Sequence, residues 1–148
     1  MSYVLIKYLH IIAIMIMMAC LCLEHFLLKP QLSATEMRKL AVIDGIYGLA
    51  SALILGAGLM LWFGVGKGQA FYSANHLFHL KVGLFVVLGL LSIYPTIFFL
   101  KHRKTEAETT KAPRVIILLV RIELLLTFLI PLFAVLMAQG IGLPHPAQ

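Results

Sequence analysis

Charge is what this chain has least of. Only 12% of its 148 residues are Asp, Glu, Lys or Arg and 61% are hydrophobic, against roughly 25% charged in ordinary soluble domains. A water-soluble fold is excluded. Long polar stretches are missing as well, so nothing between or beyond the apolar runs can bury a core of its own. Cysteine is confined to Cys20 and Cys22, which point to different sides of a helix and cannot bridge each other. The absence of a CxxCH motif excludes covalently attached haem. No GxxxxGK[ST] pattern follows a strand, so Gly45, Gly48, Gly56 and Gly58 read as points of close helix approach. Basic residues give a net charge of +6, yet they are not interleaved with exposed aromatics, which removes nucleic acid as a partner.

What the chain does have is four apolar runs of membrane-spanning length, at about Tyr3–Leu28, Leu40–Phe63, His79–Leu100 and Val115–Gln139. Each meets the roughly 20 residues that a hydrocarbon core of about 30 Å requires of a helix. The runs are continuous and rich in Leu, Ile and Met, where a barrel would need alternating segments of about 10 residues. The expected fold is therefore all-α, an integral membrane four-helix bundle forming a single domain over residues 1–148. The first run is too long for a signal core, lacks a basic lead and has no small-x-small cleavage site, so it is expected to stay in the mature protein. Lys29, Arg38 and Lys39 fill the first connection and Lys101, Arg103, Lys104, Lys111 and Arg114 the third; the second carries only Lys67. Positive loops stay cytoplasmic. The expectation is a multi-pass protein of the bacterial inner membrane with both termini periplasmic, its basic loops in contact with anionic lipid heads.

Breaks between the runs are legible. Pro30 ends the first helix, and Ser33 or Thr35 caps the second with Glu36 in its first turn. Phe71 and Tyr72 suit an interfacial belt. Pro95 and Pro131 are expected to kink their helices.

Ionisable groups inside the apolar runs are the informative residues, since each charge near the bilayer centre costs about 2.5–3.5 kcal/mol on insertion scales. At about 1.5 Å rise per residue, Glu24, Asp44, Tyr47 and Tyr94 share the cytoplasmic half, with Arg121 and Glu123 nearer the middle. Arg121 is expected to neutralise Glu24, Asp44 or Glu123. The layer is either interhelical glue or a proton path. Nearer the other face, His10 on the first helix and His79 on the third lie at similar depth, beside Lys81 and Trp62. His10, Met17 and Glu24 recur every seven residues and so share one stripe. An imidazole pair on facing helices can hold haem iron or another metal, with Met as a further ligand. Met15, Met17 and Met18 also read as ordinary packing.

The segments LEHFLL, RKLAVIDGIYGLASALILGAGLMLWFGVGKGQAFY and LFHLKVGLFVVLGLLSIYPT resemble the bacterial membrane family DUF2214 over most of the chain. More distantly, Lys7 and His10 in a K-x-x-H setting, His79 and Lys81 in FHLK, and Arg38 to Leu40 as RKL are similar to the HemJ-type protoporphyrinogen oxidases, and beyond them to CopD-type copper proteins. The distant resemblance implies haem b between the first and third helices and oxidation of a porphyrinogen, with electrons passing to a quinone or the respiratory chain. Three readings follow. In a haem b oxidoreductase, His10 and His79 are axial ligands, Lys81 and Arg121 neutralise carboxylates of haem or substrate, and Glu24 and Asp44 relay protons. In a proton-coupled transporter or metal-handling protein, the acidic layer couples and His10, Met17 and His79 are transient ligands. In an accessory subunit, the charges only lock helices together. Four helices are few to enclose a pocket, which leaves room for a homo-oligomer.

Overall fold

The computed structural model describes residues 2–105 and 107–143. Four helices are long and apolar enough to cross a membrane: α1 (Ser2–Leu27), α2 (Ala34–Met60), α4 (His76–His102) and α5 (Arg114–Ala138). Between α2 and α4 lie a π-helical turn, Leu61–Val65, and a short helix α3 (Gln69–Ser73). The all-α membrane bundle expected from the apolar runs is what the chain forms. Leu5, Phe26, Val42, Leu49 and Leu125 are among many large apolar side chains on its outer surface, the arrangement lipid demands and water forbids.

Local chemistry sets the helix ends. Pro30 stops α1, and the chain runs into a three-residue strand β1 (Gln31–Ser33), which pairs antiparallel with β2 (Thr109–Lys111), Gln31 opposite Lys111. Ala112 N–H donates to the Pro30 carbonyl at 3.0 Å, extending the pairing. The first and third connections are thus tied together at one end of the bundle, the end holding most of the basic residues. Ser33 is the N-cap of α2: its hydroxyl accepts from Glu36 N–H at 3.3 Å, and the Glu36 carboxylate accepts from Ser33 N–H at 2.9 Å. This reciprocal box satisfies two otherwise orphaned donors, and Lys29 Nζ adds an ion pair to Glu36 at 3.0 Å.

At the opposite end, Asn75 does what the sequence alone did not reveal. It is fully buried; its Oδ1 accepts from Leu77 N–H at 2.9 Å, capping α4, while its Nδ2 donates to the Ile141 carbonyl at 3.1 Å. His76 N–H donates to Gly142 O at 3.1 Å, so the segment after α5 is stitched to the start of α4. Gly142 has φ +89, a left-handed conformation that glycine adopts without strain. Trp62 stacks on Phe63 and meets Phe78 edge-on, with Phe71 and Tyr72 close by, which forms the expected aromatic belt at this end.

Around the bundle, α1 packs against α2 and α5, and α4 packs against the same two helices. α1 and α4 are therefore diagonal. Leu32, Met37, Leu40, Phe99, Ile116 and Val120 form a core at the basic end. Ala13, Met17, Cys20, Leu21, Tyr47, Ala50, Ile54 and Leu88 form another through the middle.

Candidate functional site

Three carboxyl groups meet the interior where those two cores adjoin. Glu24 is 2% exposed, Asp44 3% and Glu123 1%, and they come from three different helices. Asp44 Oδ1 accepts from the Thr96 hydroxyl at 2.8 Å. Glu24 Oε1 and Glu123 Oε1 are buried without any hydrogen-bond partner. Around them, Thr127 donates its hydroxyl to the Glu123 carbonyl at 2.8 Å. Ser51 Oγ donates to the Tyr47 carbonyl at 2.9 Å and lies 3.4 Å from Met17 Sδ. The Tyr47 ring is buried among these groups.

Among the described residues, no cation answers the carboxyls, and the one ion pair is Lys29–Glu36, at the surface. Arg121, expected to neutralise the layer, is exposed on the outer face of α5. The cause is helix phase, because residues two apart are turned by about 200° at 3.6 residues per turn; with Glu123 inward, Arg121 points outward. Glu123, expected in the ionisable layer and as one partner for Arg121, is thus a member of the cluster without that cation. Tyr94, placed at the right depth by sequence, is 49% exposed and takes no part.

The histidine layer divides in the same way. His10 is half-buried against α2, where its Nδ1–H donates to the Ile54 carbonyl at 3.1 Å. Its ring passes so near Gly58 that a Cβ there would lie 3.4 Å from Cε1. His79 is exposed, and its Nε2–H reaches back to the Ser73 carbonyl at 2.8 Å. Two residues on, Lys81 faces the other way: its Nζ lies 5.4 Å over the Phe78 ring, and it is the charged neighbour of His10. Met17 is buried beside Ser51, on the stripe that carries His10 and Glu24.

Between α2 and α4 a crevice of about 220 Å³ opens sideways, lined by Tyr47, Gly48, Ser51, Ala52, Gly89 and Thr96 among others. Tyr47 and Thr96 connect its floor to the carboxyl cluster.

A family model described as a predicted membrane protein, DUF2214, matches residues 2–142. The chain belongs to that family. No curated protein and no solved structure matches it. For this DUF2214 member the residues do not fit a haem held between α1 and α4. Those helices are diagonal, His10 is turned onto α2, and His79 is turned outward and engaged by a backbone carbonyl. The crevice is also smaller than the roughly 300–1,000 Å³ of typical ligand pockets. Nor, among the described residues, do three His, Cys, Asp or Glu side chains converge closely enough to hold a metal ion, which ordinarily takes at least three protein ligands.

Proposed function

We propose that this DUF2214 protein is a proton-coupled transporter of the bacterial inner membrane, with both termini periplasmic, in which Glu24, Asp44 and Glu123 take up and release protons. One observation carries the reading: among the described residues, two of the three carboxyls hold a buried oxygen with no partner, and no cation pairs with them. A buried polar oxygen left without a partner costs about 1–3 kcal/mol even on a neutral carboxyl, and intramembrane ionisable groups are functional by default. Glu24 lies within one turn of the end of α1, so protons enter from the basic, cytoplasmic end. Tyr47 and Thr96 extend the cluster's hydrogen-bonding groups onto α2 and α4. The second core, Met17 included, is packing around that path.

Infrared difference spectra of the purified protein over a pH titration test this directly. A carboxylic C=O band should change with pH and lose a component in each of Glu24→Gln, Asp44→Asn and Glu123→Gln. In liposomes, potassium-driven proton uptake should fall at least tenfold in the triple variant. A spectrum identical in wild type and triple variant would leave only the accessory-subunit reading.

A further inference from the structure

We propose that the α2–α4 seam is a binding site for one anionic membrane lipid, headgroup at the basic end and acyl chain along the groove. Arg38 on α2 and Arg103 and Lys104 at the end of α4 line a groove of about 290 Å³ whose remaining walls are Ala41 and Val42. All three cations are exposed, and among the described residues none is in an ion pair. They lie where α2 begins and α4 ends, at headgroup level. Basic pockets between membrane helices select phosphate-bearing lipid heads.

The α2–α4 crevice lies further along the same two helices. On α2, Arg38, Val42, Gly45, Gly48 and Ala52 follow at spacings of three and four, which keeps them on one stripe. On α4, Gly89, Ser92 and Thr96 lead at the same spacings towards Arg103, while Phe99 between them is packed in the core. The stripes run from the basic groove to the level of the crevice at Gly48, Ala52 and Gly89, about 20 Å along the axis at 1.5 Å per residue. That length suits an acyl chain. Gly45 and Gly48, expected at points of close helix approach, instead have open space where a Cβ would stand, as does Gly89, so the outer edge of the seam has room for an acyl chain. A soluble anion would use only the three cations; a lipid uses these and the outer edge of the seam together, and this is why the occupant is a lipid.

Native mass spectrometry of the detergent-solubilised full chain with added dioleoylphosphatidylglycerol or dioleoylphosphatidylcholine tests the site. Each cation near a lipid surface is worth about fivefold in affinity, so wild type should retain the anionic lipid at least tenfold better. Arg38→Ala, Arg103→Ala and Lys104→Ala together should abolish that preference. These residues are exposed, so the variant folds, and circular dichroism melting verifies it. Gly48→Leu with Gly89→Leu should weaken dioleoylphosphatidylglycerol while leaving inorganic phosphate binding unchanged. Equal retention of both lipids by wild type, or an undiminished preference in the triple variant, overturns the site. Phosphate competing as well as the long-chain lipid, or no effect of the leucines, overturns the lipid assignment.

Discussion

Replacing Arg121 by leucine separates the observed arrangement from the one that charge pairing alone would suggest, because the two give effects of opposite sign. In the structure the guanidinium lies on the outer face of α5 while Glu123 is 1% exposed. Arg121 stands seven residues into α5, about 10 Å along the axis, so its long stem brings the charge towards the headgroups. Arginine at the centre of a membrane helix costs about 2.5–3.5 kcal/mol, and leucine contributes about −0.5. At this shallower depth the replacement should leave stability unchanged or raise it by up to about 3 kcal/mol. If Arg121 instead compensated the buried carboxyls, its loss would cost about 3–5 kcal/mol. Reversible unfolding of the protein in bicelles, titrated with a denaturing detergent, reads either value. A loss of about 3 kcal/mol or more, relieved by adding Glu123→Gln, would refute the placement of Arg121 and the uncompensated cluster with it.

Asn75→Ala should cost about 1–2 kcal/mol through the lost cap, and hydrogen exchange should speed up at residues 139–143, which its side chain and His76 N–H hold in place. Gly58→Ala should be tolerated, since its new Cβ meets His10 at 3.4 Å, whereas Gly58→Leu should overpack the α1–α2 seam and cost about 1–3 kcal/mol by bicelle unfolding. Protein purified from haem-replete cells should show no Soret absorption that depends on His10 and His79; a band lost in both His10→Ala and His79→Ala would restore the paired-imidazole site.

Position along the bundle axis was legible from sequence and rotation about the helix axes was not, for a physical reason. An error of two residues shifts depth by only about 3 Å, so Glu24, Asp44 and Glu123 fall in one layer as expected, and the basic connections share one end. The same error turns a side chain by about 200°. In a soluble helix an apolar stripe fixes the rotation, but here lipid-facing Leu125 and core Val120 are equally apolar and the stripe vanishes. His79 and Lys81, like Arg121 and Glu123, are pairs two apart of which only one member can face inward. Polar partners at three or four residues hold the missing information: Thr127 lies four after Glu123, and Ile116 and Val120 continue that face. Side-chain length decides the α5 pair, since a long arginine stem on the lipid side can reach the headgroups and a short glutamate cannot. Of the two, the glutamate is therefore the group driven inside, and a carboxyl that enters without its cation has only protons and hydroxyls to answer it.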